Sequence, residues 1–259
     1  MGHVVAIVNQ KGGVGKTTTA VNLAAYLGAT GRVLLVDLDP QANATSSLGT
    51  NNANLQHSMY DVLLGQVGLH DIVVPTREHG LFLAPAAAEL AGAQVELLSM
   101  DDRDLCLRHA LEPARSSFDL ILVDCPPSLG ILTVNALAAA DALLAPVQCE
   151  YLALEGLTQL LRIVRSVRAG INPSIKILGI VLTMFDSRTN LSVQVVEEIR
   201  RHFPVQAFDS IVPRSVRLSE APSYGQSIRA YDPSSRGALA YAQLAREVIE
   251  RGYGPETLQ

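Results

Sequence analysis

Apolar positions along this chain fall into short unbroken runs separated by longer stretches with helical spacing. The runs near residues 3–9, 32–37, 118–124, 142–147, 176–183 and 206–212 predict core strands, with smaller strands near 72–74 and 81–84. Runs that do not alternate with polar residues belong to strands covered on both faces, the pattern of a mainly parallel sheet flanked by helices. Between them, Thr17 to Leu27 has the apolar spacing and strong formers of a helix. A second helix, from about 153 to 169, sets Leu160, Leu161, Val164 and Val167 against a broad face carrying Arg162, Arg165 and Arg168. In such an α/β fold ligands bind beyond the carboxyl ends of the strands. Lys11, Asp39 and Asp124 all fall at such ends, so the chemistry is expected along one edge.

The first strand and first helix are joined by a glycine-rich loop. Gly12, Gly13 and Gly15 let the backbone turn its N–H groups inward around a phosphate, at the positive end of the helix. Val14 and Thr18 complete the loop; Lys16 would reach the β- and γ-phosphates and the Thr17 hydroxyl would ligate Mg²⁺. The pattern G-x-x-x-x-G-K-[ST] asks for glycine where Gln10 stands, so the loop is a deviant form, and Lys11 is a second lysine that the motif does not require. Pinned by glycines, Lys11 cannot easily reach the phosphate that Lys16 serves; it can reach another subunit, or it is a surface lysine that happens to precede the loop.

Two acidic sites follow. VDLDPQ places Asp37 and Asp39 one residue apart at a strand end, where they read either as catalytic carboxylates or as caps of the next turn. DLILVD ends an apolar run on Asp124, an arrangement that holds a Mg²⁺-bound water, before Pro126-Pro127 forces a rigid turn.

The segments NQKGGVGKTT, VDLDPQANATSSLG, LVDCPPS, APVQCEYLALEGL and IVPRSVRLSEAPSYG resemble the ParA and Soj group of chromosome- and plasmid-partitioning ATPases, within the deviant Walker A class that includes MinD. The matching segments run from residue 4 to about residue 228. The resemblance implies a P-loop NTPase fold, with ATP and Mg²⁺ as cofactors. It also implies slow hydrolysis stimulated by a ParB-type centromere-binding protein carrying a short basic peptide. Lys11, it implies, crosses a dimer interface to the partner's nucleotide, Asp39 orients the attacking water and Asp37 lies near Mg²⁺ with Asp124 and Thr17. Thr183, Met184, Pro213, Arg214 and Ser215 would surround adenine, although the family usually has asparagine at the position of Ser215. The family also usually has glycine where Ala42 stands. Arg188 and Arg217 sit where the family places arginines that contact DNA without sequence preference, with Arg214 and Arg229 as nearby candidates.

Composition agrees with this picture. At 259 residues and 48% hydrophobic, with no internal repeat or low-complexity linker, one domain over 1–259 is expected. Net charge is −5, but residues 1–150 hold 7 Lys and Arg against 15 Asp and Glu, whereas residues 151–259 hold 13 against 10. A basic patch on an acidic chain still suits a phosphate backbone, with salt-sensitive affinity. Cys106, Cys125 and Cys149 lack metal-type spacing and are expected as reduced thiols, which argues against an iron–sulfur protein. Tyr231, Tyr241 and Tyr253 do not form a tyrosine-kinase cluster. A membrane-attached, MinD-like function would need a basic amphipathic tail. EVIERGYGPETLQ instead mixes charge signs and breaks at Gly252, Gly254 and Pro255, and its apolar side, with Leu244 and Val248, is expected to dock on the domain. No run reaches the about 18 apolar residues of a membrane span. A cytoplasmic, nucleoid-associated protein without membrane contact is the expectation.

Overall fold

The computed structural model describes residues 2–51 and 55–255. Eight strands form one sheet: β1 (His3–Ile7), β2 (Val33–Asp37), β3 (Val74–Pro75), β4 (Leu81–Ala84), β5 (Leu120–Asp124), β6 (Ala142–Gln148), β7 (Lys176–Phe185) and β8 (Ala207–Pro213). Their order is β3-β4-β2-β5-β1-β6-β7-β8, parallel throughout except for the antiparallel β3–β4 pair. The longer helices are α1 (Lys16–Gly28), α2 (Ile131–Ala139), α3 (Ala153–Ala169), α4 (Asn190–His202) and α5 (Arg236–Glu250).

Helices cover both faces, and the strands bury side chains on both, as their unbroken hydrophobicity requires. Val4 and Ala6 of β1 join one core cluster with residues of α2, α3 and α4; Val5 and Ile7 join the other with residues of α1 and α5. In α3, Leu160, Val164 and Val167 are buried while Arg162, Arg165 and Arg168 are exposed, as the spacing predicts. Helix α5 buries Tyr241, Leu244 and Val248, each aliphatic side chain contributing about 1.5–3 kcal/mol. The apolar side of the tail is thus consumed in packing; residues 256–259 lie outside the described residues.

The strand expected near 72–74 is displaced. Leu69–Ile72 forms a helical turn instead, closed by the Asp71 carboxylate accepting the Gly68 N–H at 2.8 Å, and pairing starts only at Val74. The first strand ends at Ile7 rather than residue 9. There the buried Asn9 side chain takes over, donating to the Pro146 carbonyl at 2.6 Å and accepting the Lys11 N–H at 3.0 Å, and so bends the chain into the loop. Two register pairs set up the site: Asp124 lies opposite Ile7 on one side and opposite Asp37 on the other. The ends of three adjacent central strands therefore meet at one level.

Candidate nucleotide site at the sheet edge

The loop from Gln10 to Gly15 has the backbone that its glycines permit. Gly13 (φ 75°) and Gly15 (φ 88°) occupy the left-handed region, where a side chain would be strained. Gly12 differs: its backbone is not left-handed, and a Cβ added there would meet nothing within 4 Å. Nothing inside the described chain demands glycine at this position, so any demand comes from something that approaches from outside. The Thr183 hydroxyl, at the end of β7, donates to the Val14 carbonyl at 2.8 Å and ties the loop to the neighbouring strand.

The two lysines diverge. Lys16 opens α1 and is buried, its Nζ donating to the Lys11 carbonyl at 3.2 Å across the mouth of the loop. Burial pushes its ammonium below the usual lysine range, partly offset by Asp124 and Asp39. Lys11 is half-exposed and turns away: its Nζ meets Glu150 Oε2 at 2.8 Å, just past the end of β6, and Gln148 donates to the other oxygen of the same carboxylate. Neither Glu150 nor Asn9 is marked by the phosphate-loop motif, because both contacts join residues about 140 positions apart.

Three carboxylates face the loop in very different states. Asp124 is fully buried and neither of its oxygens accepts a hydrogen bond of ordinary geometry. Burial, then the charge of Asp37, push its carboxyl well above the normal range, and the nearby Thr17 hydroxyl offsets only part of that. A buried carboxylate without a donor costs several kcal/mol unless a cation or proton joins it. Asp37, also fully buried, is pushed up to about 6, chiefly by burial. Its oxygens are committed, however: Thr45 donates both its N–H (2.8 Å) and its hydroxyl (2.7 Å), and Asp39 donates its N–H (3.2 Å). The turn-capping role is the one that its contacts fit. Asp39, also buried, caps the Gln41 N–H at 2.9 Å through one oxygen, and its charge supports the Lys16 ammonium.

Hydroxyl and carboxylate oxygens of Thr17 and Asp124 form a hard donor set suited to Mg²⁺, which keeps waters and takes substrate phosphates as further ligands. Among the described residues no three His, Cys, Asp or Glu side chains assemble into a metal-binding group, and such a Mg²⁺ needs none. Beside the loop opens a cavity of about 260 Å³, lined by Thr18, Met184, Pro213, Ser215, Leu218 and Tyr241 among others. Met184 takes a left-handed backbone (φ 54°), unusual for a side chain of its size. Beneath the cavity the Tyr241 hydroxyl of α5 hydrogen-bonds Thr19 of α1 at 3.2 Å, a contact that the motifs do not announce. Cys125 and Cys149 are buried free thiols and Cys106 is partly exposed.

The arginines expected at a DNA surface follow β7 and β8: Arg188 in a turn, Arg214 just past β8, and Arg217 and Arg229 on the short helices Val216–Glu220 and Ile228–Tyr231. Arg188 forms a two-bond pair with Asp186 (2.9 and 2.7 Å), Arg217 pairs with Glu220 (3.0 Å) and Asp232 (3.4 Å), and Arg229 lies 3.6 Å from the buried Glu78. Arg214 lines the cavity, its N–H bonded to the Phe185 carbonyl at 3.0 Å.

Comparison with known proteins places this arrangement. Residues 2–177 match a family model described as an AAA domain. The sporulation initiation inhibitor protein Soj of Bacillus subtilis is 52% identical over 253 residues, covering 97% of this chain and all of that protein. The chromosome partitioning protein ParA of Myxococcus xanthus is 52% identical, over 97% of this chain and 89% of its own length. Among solved structures, cobyrinic acid a,c-diamide synthase from Mycobacterium smegmatis, crystallised with an ATP analogue and magnesium, superposes with a TM-score of 0.85. It is 38% identical and all of both chains is covered. MinD from Pyrococcus horikoshii, complexed with Mg-ADP, gives 0.82 at 26% identity, over 97% of this chain and 98% of its own. The chain belongs to the ParA/Soj family of chromosome-partitioning ATPases.

Proposed function

We propose that this chain is a single-domain ATPase that partitions DNA, cycling between a monomer and an ATP-bound twofold dimer. The observation that carries the reading is the divergence of the two lysines: Lys16 closes over its own loop while the Lys11 ammonium points out to Glu150. ATP takes its phosphates between Gly12 and Thr18 and its base in the cavity between Met184 and Pro213-Ser215. Mg²⁺ is held by the Thr17 hydroxyl and through Asp124, and when bound it supplies positive charge to the phosphates. Lys16 anchors the β- and γ-phosphates, and Asp39 orients the attacking water. Lys11 exchanges Glu150 for the nucleotide of a second copy, so that the transferring phosphoryl meets a positive charge from each subunit. Hydrolysis removes the γ-phosphate and with it the link between subunits.

Size-exclusion chromatography with light scattering tests this. The unmodified chain is expected to shift from monomer to dimer on ATP and Mg²⁺; Lys11→Ala and Gly12→Val are expected to bind ATP and stay monomeric. Dimerisation of both variants at the unmodified ATP concentration would refute the cross-subunit role.

The dimer binds double-stranded DNA without sequence preference through Arg188, Arg217 and their neighbours. A ParB-type centromere-binding protein stimulates the otherwise slow hydrolysis and so releases it. The protein is cytoplasmic and nucleoid-associated. A MinD-like membrane role finds less support, because the apolar face of α5 is buried on the sheet. Among the described residues no helix is long and apolar enough to cross a membrane. DNA titration with ATP, ADP and no nucleotide, at two salt concentrations, is expected to show ATP-specific, salt-weakened binding. Equal binding in all three states would remove the switch, and sedimentation with anionic vesicles would expose a membrane role.

A further inference from the structure

The guanidinium groups of Arg188 and Arg217, in the segments after β7 and β8, are already occupied. The segments are neighbours, since Phe185 pairs with Pro213 across the two strands. Arg188 projects into solvent with 85% of its side chain exposed, yet its Nε and Nη2 both donate to the Asp186 carboxylate. Asp186 also accepts the Arg188 backbone N–H at 3.0 Å. Arg217, likewise exposed, lies between Glu220 and Asp232, and Tyr231 donates its hydroxyl to the same Glu220 oxygen at 3.2 Å. Arg188, Arg214 and Arg217 are thus matched in number by Asp186, Glu220 and Asp232, and the row carries no net charge.

A fork of two parallel N–H donors binds a phosphate as it binds a carboxylate. We propose that Asp186 and Glu220 occupy the positions of DNA phosphates on Arg188 and Arg217, so that each arginine must exchange a carboxylate of its own chain for the polyanion. This rests on the DNA-binding reading above. Exposed ion pairs contribute little to stability, so the exchange is easy. Its effect is on net charge: each carboxylate that stays near the duplex repels it and cancels one cation. A single subunit then holds DNA weakly, and two rows presented together hold it better, which makes retention depend on the dimer. Arg229 is outside this device, because its partner Glu78 is buried and also accepts the Ser227 N–H.

The test is fluorescence anisotropy with a random-sequence double-stranded DNA, in ATP and Mg²⁺, over 50–200 mM salt. Asp186→Asn and Glu220→Gln remove the charge while keeping one acceptor oxygen, which at Asp186 is enough for the turn bond from the Arg188 N–H. Each is expected to tighten binding several-fold and to steepen the plot of log affinity against log salt by about 0.9. Asp102→Asn, an exposed charge on a remote loop, controls for overall net charge and is expected to change neither. Unchanged or weaker binding in both variants, with Arg188→Ala also weaker, would overturn the proposal and make the carboxylates positioning groups. If Arg188→Ala and Arg217→Ala bind like the unmodified chain, the DNA surface itself is misplaced. Tightening on anionic vesicles but not on DNA would overturn it in favour of a membrane surface.

Discussion

The two ends of the sheet edge treat charge in opposite ways. At the centre, where β1, β2 and β5 finish, Asp124 is buried without a donor and Lys16 is buried with only a backbone carbonyl. At the β7–β8 side, Arg188 and Arg217 are exposed and fully paired. A buried, unmatched charge is costly, so whatever brings the missing cation and anion together stabilises the central site. A surface pair costs little to keep or break, so the arginines there can exchange partners readily. One region lacks counter-charge, the other already holds it.

The contrast breaks most visibly at Asp39. On the proposal that Asp39 orients the attacking water, Asp39→Ala is expected to lower partner-stimulated hydrolysis at least 100-fold while leaving the ATP-dependent dimer intact. Phosphate release and light scattering on the same sample check both halves. Retained hydrolysis would move the water-orienting role elsewhere.

Next in size is the response of the nucleotide-free protein to pH. Folding raises the Asp37 carboxyl to about 6, so between roughly pH 4 and 6 the folded state holds a proton that the unfolded state has lost. Stability therefore falls as pH rises through that window, by about 3 kcal/mol at most, and Asp124 adds in the same direction. Thermal unfolding without ligand is expected at a higher temperature at pH 5 than at pH 6.5. Mg²⁺ with ADP should reduce or reverse that difference by supplying the absent charge. An apo protein equally stable at both pH values would show that the buried pair is already compensated.

A smaller effect is expected at the junction of the two regions. Glu150→Gln frees Lys11 from a half-exposed ion pair, and the ATP concentration for half-maximal dimerisation should fall by about 2–5-fold. A rise instead would make Glu150 part of the interface.

What the sequence made legible follows from distance along the chain. The strands, the phosphate loop and the strand-end acids could be placed because each is a local pattern, and the sheet then aligned Ile7, Asp37 and Asp124 through its register. Lys11–Glu150, Asn9–Pro146 and Thr19–Tyr241 join residues 137 or more positions apart, and no spacing announces them. Asp37 was ambiguous for a different reason: an acid at a strand end suits a metal or a turn, and only the donors from Thr45 favour the turn. The counter-ion of Arg188 was in plain view two residues away in Asp-Ser-Arg, a spacing that favours a local side-chain to backbone bond.

The smallest prediction concerns a departure from the family that the structure makes intelligible. Ala42 caps the short helix Asn43–Ser47 with φ 51°, in the left-handed region, and its N–H is bonded to the Asp39 carbonyl at 2.8 Å. That backbone costs an L-residue about 1–2 kcal/mol, and glycine avoids it. Glycine loses more chain entropy on folding, about 0.5–1 kcal/mol, so Ala42→Gly should stabilise the protein by no more than about 1 kcal/mol. Denaturant unfolding resolves a change of that size only when m is unchanged. Because the turn also carries Asp39, a gain in stability with unaltered hydrolysis would show that the strain is incidental. A gain accompanied by slower hydrolysis would show instead that the strained turn helps hold Asp39 in place.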